Sequence, residues 1–206
     1  MGVLTKSISI RPSRQHLFGA SAAQGDLKEI FDVPAGSEFV VFFDFTNATS
    51  ISGSYIRATV GWCLTCGRMH AEGIERSDYS DSWAVRPLPV YPVITGGNRD
   101  ILWEIHDFLK HREMTCLLVQ SHDRIPFKEA EILGKLDDFL FVTLRKVASA
   151  ATASAQFLKE SSLEKITVGG WSNRLAALLA SRLVMRIREG KTWNYQALGK
   201  EYKPWD

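Results

Sequence analysis

The segment from Ile166 to Leu198, ITVGGWSNRLAALLASRLVMRIREGKTWNYQAL, constrains this chain of 206 residues more than any other. Trp171, Leu175, Leu178 and Leu179 recur at helical spacing and build one apolar face. The opposite side opens with Gly170, Ser172 and Asn173, all small or hydrogen-bonding. The stretches LVMRIRE and TWNYQAL then alternate apolar and polar residues, as a half-buried ribbon does, around a tip at Glu189-Gly190-Lys191. Gly169 and Gly170 are poor helix formers, so the helix is expected to begin at Trp171 or Ser172.

Two more helices are expected upstream. Ile132 to Val147 sets Leu133, Leu136, Leu140 and Leu144 along one helical face. Thr152 to Glu160 supplies the next, with Ala155, Phe157 and Leu158 inward, and SSLEKI turns the chain into the third. Three helices followed by a basic hairpin, over about residues 132 to 198, resemble the winged helix-turn-helix of bacterial DNA-binding proteins. The resemblance implies double-stranded DNA as the partner. Ser172, Asn173 and Arg174 would lie early on the recognition helix and reach base edges in the major groove. Asparagine suits adenine and arginine suits guanine, by bidentate geometry. Arg186, Arg188 and Lys191 would sit on the wing against phosphates or the minor groove. Arg182, at the helix end, would do the same or bond the last helix carbonyls. Trp193 and Tyr195 are expected to pack the hairpin against its domain. Paired half-sites raise specificity, so a homodimer is compatible with this reading.

The charge distribution points the same way. Residues 132–206 carry 12 Lys/Arg against 7 Asp/Glu, and residues 1–131 carry 13 against 16. The basic excess therefore travels with the helices and hairpin, where a phosphate-facing surface needs it.

The first half alternates strands and helices, the pattern of an α/β layer fold. Leu4 to Ile10 reads as a strand, and FVVFFDF (39–45) as a central strand covered on both faces. Thr46 to Ser54 is a polar turn, with Ser52 or Ser54 as a helix N-cap. Tyr55 to Met69 carries Ile56, Val60, Cys63 and Leu64 at helical spacing, and Arg68 to Ser82 reads as a loop. Leu88 to Thr95 holds a short strand that Pro89 and Pro92 push toward a sheet edge. Asn98 caps a helix striped by Ile101, Leu102, Ile105, Phe108 and Leu109, and Met114 to Gln120 is a buried strand. The stretch VVFFDFTNATSISGSYIRATV (40–60), with the later strand, helix and strand, resembles the STAS-like domains of anti-sigma-factor antagonists over roughly residues 4 to 121. That resemblance implies a partner- or ligand-sensing module. It departs from the family at the phosphoswitch: the matching positions are Ser52 and Gly53, with Ser54 one residue further on. Caps are the better reading of both serines.

Other chemistries find little support. Cys63-x-x-Cys66 followed by His70 resembles half a zinc ribbon, but zinc wants four ligands and the chain has only one further cysteine, Cys116, with His122 beyond it. No metal or cofactor is expected. The histidines form no metalloprotease pair, and no Walker loop, G-x-G-x-x-G or G-x-S-x-G occurs. Gly96-Gly97-Asn98 reads as a simple strand-to-helix turn, Asp44 as part of the STAS-like turn, and no enzyme is expected. No apolar run approaches a membrane span, no signal peptide is evident, and three cysteines suit a reducing cytoplasm.

The expected architecture is an α/β STAS-like layer domain at 1–123, a linker at 124–131, and an α+β winged helix-turn-helix domain at 132–206. The expected function is a DNA-binding transcriptional regulator or accessory factor whose first domain engages a protein or ligand. The alternative is a non-catalytic adaptor that uses both domains for protein contacts.

Overall fold

The computed structural model describes residues 6–33, 37–74, 84–120 and 125–205. In chain order the elements are β1 (Lys6–Ile10), β2 (His16–Leu17), α1 (Ala20–Asp26), β3 (Phe39–Asp44), β4 (Ser50–Ile51), α2 (Gly53–Ile56), α3 (Trp62–Ala71), β5 (Val90–Gly96), α4 (Arg99–His111), β6 (Thr115–Leu118), β7 (Phe127–Gly134), α5 (Asp138–Ser149), α6 (Ala155–Ser161), α7 (Val168–Ala180), β8 (Val184–Glu189), β9 (Thr192–Ala197) and β10 (Gly199–Pro204). Six strands form one sheet in the order β1-β3-β5-β6-β7-β10. All neighbours are parallel except β6 and β7, which run antiparallel. The molecule is thus an α/β fold built on a mixed, mostly parallel sheet.

Alternation along the strands sorts side chains to two cores. Phe39, Val41 and Phe43 of β3 face one side, and Val40 and Phe42 face the other. Helices α2, α3 and α4 cover the first side with Tyr55, Ile56, Cys63, Ile101 and Ile105. Helices α5, α6 and α7, with the β8–β9 hairpin, cover the second with Leu144, Leu158, Trp171, Leu175 and Val184. FVVFFDF is buried throughout because both of its faces are roofed.

Several expectations need correction. The linker placed at 124–131 is largely strand: β7 pairs with β6 on one side and β10 on the other, so the sheet crosses that boundary. Leu4, His122 and Arg124 lie outside the described residues. β5 is central rather than an edge strand; its ladder to β6 starts at Val93, one residue past Pro92. The helix expected from Ile132 starts at Asp138, because Gly134 ends β7 at φ +87 beneath the Met114 carbonyl. The four leucines therefore do not share a face: Leu133 enters the first core, and Leu140 and Leu144 the second. The helix read over 55–69 begins at Gly53, capped by the Ser52 hydroxyl, and passes through a π-helical turn at Arg57–Gly61. In α6, Leu158 is buried but Phe157 is exposed.

No helix among the described residues is long and apolar enough to cross a membrane.

Candidate nucleic-acid interface

Helix α7 starts earlier than the two glycines suggest. The Thr167 hydroxyl accepts the Gly170 N–H at 3.1 Å, and this N-cap carries Gly169 and Gly170 into the first turn. Trp171, Leu175, Leu178 and Leu179 are buried, as their spacing requires. Gly169, Ser172, Asn173 and Ala176 form the exposed stripe opposite, so Ser172 and Asn173 present their polar groups to solvent.

Arg174 is on the same helix but engaged. Its Nη1 lies 3.2 Å from Glu164 Oε2, and its guanidinium stands 5.2 Å from the rings of both Phe139 and Trp171. It braces the start of α7 against α5 and the preceding turn.

Arg182 does not belong to the interface, which corrects the expectation for it. It is 2% exposed, at φ +58 in the turn between α7 and β8. Its Nε donates to the Val90 carbonyl at 2.9 Å, not to the carbonyls of its own helix. Its guanidinium lies 3.7 Å from the centre of the Tyr91 ring, and its two terminal nitrogens have no hydrogen-bond partner among the described residues. Burial lowers its pKa, opposed first by Tyr91 and then by the charge of Glu38, which accepts the Tyr91 hydroxyl at 3.1 Å. Gly67 of α3 makes room for it: a Cβ there would stand 3.0 Å from Arg182 Cδ and 2.7 Å from the Val90 carbonyl oxygen. Arg182 is therefore a bolt between the helix–hairpin turn and the sheet.

The hairpin itself is exposed beyond its base. Val184, Met185 and Ala197 enter the second core, while Arg186, Arg188, Glu189, Gly190 and Lys191 are solvent-facing. Gly190 takes φ +61 at the tip. Trp193 is 43% exposed, which departs from the packing role expected for it. It lies directly across from Arg188 in the ladder, and the Arg186 and Arg188 guanidiniums sit 4.2 and 5.5 Å from its ring centre. Arg188 also donates to the Gly190 carbonyl at 3.3 Å. Neither arginine has a carboxylate partner among the described residues; Glu189 instead accepts from Asn194 at 2.7 Å. Tyr195 is half-buried and its backbone exchanges two 2.9 Å hydrogen bonds with Ala153, between α5 and α6. His70 at the end of α3 is held below its ordinary pKa by burial first and by Arg182 and Arg186 second.

Sequence reasoning missed the Trp193 contribution. The signal was present: an R-x-R strand whose partner across a short tip carries tryptophan at its second position places a ring beside both guanidiniums.

The other motifs fall into the cores. Cys63, Cys66 and Cys116 are free and buried, and burial pushes the Cys66 thiol up to about 11 and that of Cys116 up to about 12. No group of three or more His, Cys, Asp or Glu among the described residues is placed to hold a metal. Asp44 is tied at the end of β3 by Arg11 at 3.0 Å and by the Thr46 N–H at 3.0 Å. No protein-family profile, curated protein or solved structure matches the chain.

Proposed function

We propose that this chain binds double-stranded DNA through α7 and the β8–β9 hairpin, as a transcriptional regulator or DNA-binding accessory factor. In this reading residues 138–197, from α5 to β9, act as a winged helix-turn-helix, with α7 as recognition helix and the hairpin as wing. The carrying observation is the Arg186–Trp193–Arg188 stack on the exposed hairpin. The ring holds two guanidiniums in place without neutralising them, so their remaining N–H groups are available to phosphate oxygens. The order α5, a bridge at Ala153 to β9, α6, α7, β8, β9 supports the same reading, as does the exposure of Ser172 and Asn173 one helix earlier. Arg186, Arg188 and Lys191 would dock on phosphates, and Ser172 and Asn173 would supply sequence preference.

The STAS-like reading assigns residues 6–120 a role as the module that a protein partner or ligand engages. Arg182 joins that part to the α7–β8 turn through Val90 and Tyr91, so the two parts share a mechanical connection. The adaptor alternative draws on a different observation: Phe18, Trp103, Phe139 and Phe157 are all about half exposed, at 56%, 53%, 49% and 46%. Fluorescence anisotropy with a labelled generic duplex separates the two. The DNA reading expects binding at low salt that weakens about tenfold or more when Arg186, Arg188 and Lys191 are all changed to Ala. Absence of binding by the unaltered chain favours the adaptor.

A further inference from the structure

A cavity of about 360 Å³ opens between α3 and α7, at the end of the sheet where β6 begins. That size lies at the small end of the range that ligand pockets occupy. Leu64, Met114, Ala177 and Ala180 give it an apolar wall contributed by both helices and the turn before β6. The small side chains of α7 leave the space, and Met114 supplies a wall that adapts to shape.

Its polar lining is biased toward acceptors. Thr65 spends its hydroxyl proton on the Gly61 carbonyl at 2.8 Å, and Thr115 spends its own on the Lys135 carbonyl. Both oxygens keep lone pairs for an incoming donor. Glu72 and Glu113 stand at the rim, each tied through Oε1, at 2.8 Å from Arg68 and 2.9 Å from Lys135. Their Oε2 atoms take no part in those ion pairs. Among the described residues Arg68 is the cation of the lining, its side chain 65% exposed and its Nε committed to Glu72, while Lys135 reaches Glu113 from outside the lining. Ser181 completes the wall with a hydroxyl that can turn either way.

We propose that this cavity binds a small primary amine with an apolar body. The body fills the wall between α3 and α7, and the ammonium donates to the threonine oxygens and rim carboxylates. A carboxylate of the same shape finds no donor in the two threonines and must compete with Glu72 for Arg68. The site is independent of the DNA reading and stands or falls separately from it.

The test uses the full chain and three probes of matched shape: phenethylamine, phenethyl alcohol and hydrocinnamate. At millimolar concentration, phenethylamine should raise the melting temperature by a few degrees, the alcohol less, and hydrocinnamate not at all. Ala180→Leu should fill the cavity and abolish the shift. Glu72→Gln, on the exposed rim, should leave the fold intact and weaken amine binding several-fold, which keeps the test decisive if Ala180→Leu fails to fold. The proposal is overturned if phenethylamine produces no shift, if hydrocinnamate binds as well, or if neither substitution lowers the amine's affinity.

Discussion

Arg182 shows how one residue type serves opposite ends. Arginines at 186 and 188 lie on the surface with their charge open, whereas Arg182 takes its charge into the core. A buried cation whose Nη atoms lack partners is expensive, and the Tyr91 ring, the Val90 carbonyl and the nearby Glu38 charge offset that cost. Arg182→Ala should lower stability by about 2–4 kcal/mol, because it leaves a void and removes a donor to Val90. Arg182→Met, which keeps the stem but also loses the donor to Val90, should cost less than Arg182→Ala. Urea denaturation ranks the two, and both proteins, while folded, should bind duplex DNA as the unaltered chain does. A marked loss of affinity in folded Arg182→Met would place this side chain in the interface after all.

Histidines set a pH dependence at the same scale. His106 Nδ1 accepts the Gly134 N–H at 3.2 Å, and burial, helped by Lys110, holds the imidazole below its ordinary value of 6.5. His70 is shifted the same way. The unfolded chain therefore takes up these protons at higher pH than the folded one. Their contribution is complete above the unfolded value, declines as pH falls through 6.5, and is gone below the folded values. Urea midpoints measured from neutral pH downward should fall over this window, and a His70→Gln, His106→Gln double variant should flatten the fall.

Among elements, the periodic ones were legible and the boundaries between sheet and helix were not. The stripe Trp171, Leu175, Leu178, Leu179 identifies the buried face of α7 because nothing competes with its period. The run at Leu133, Leu136, Leu140 and Leu144 misleads because a strand, a turn and a helix in succession mimic one helical stripe. The deciding residue is Gly134, whose φ of +87 and closeness to Met114 have no local sequence signature. Gly134→Ala should cost about 2 kcal/mol or more, since a Cβ would stand 2.2 Å from the Met114 carbonyl oxygen. Thr167→Ala should cost about 1 kcal/mol through the lost N-cap. Thermal denaturation of the two variants should keep that order. In the candidate interface, Ser172, Asn173, Arg186, Arg188 and Lys191 were readable as exposed positions on a helix and hairpin. The fates of Arg174 and Arg182 were not, because both are fixed by partners distant in sequence: Phe139 and Glu164 for one, Val90 and Tyr91 for the other.

At the scale of the whole molecule, the second half roofs the sheet that the first half begins. Val40, Phe42, Tyr91 and Val93 lie under α5, α7 and the hairpin base. Losing that cover exposes apolar side chains worth roughly 1.5–3 kcal/mol each. A fragment of residues 1–123 should therefore be unfolded or aggregated alone, and the full chain should melt in one transition. Two well-separated calorimetric transitions would contradict this.

The most direct test of the DNA reading is the salt dependence of duplex binding by the full chain and by the Arg186, Arg188, Lys191→Ala variant. Counterion release makes log K fall linearly with log salt, by close to one in slope for each phosphate neutralised. DNA binding through the hairpin gives a clear negative slope that becomes shallower by about three in the variant. A slope near zero, or one that the triple substitution leaves unchanged, would contradict it.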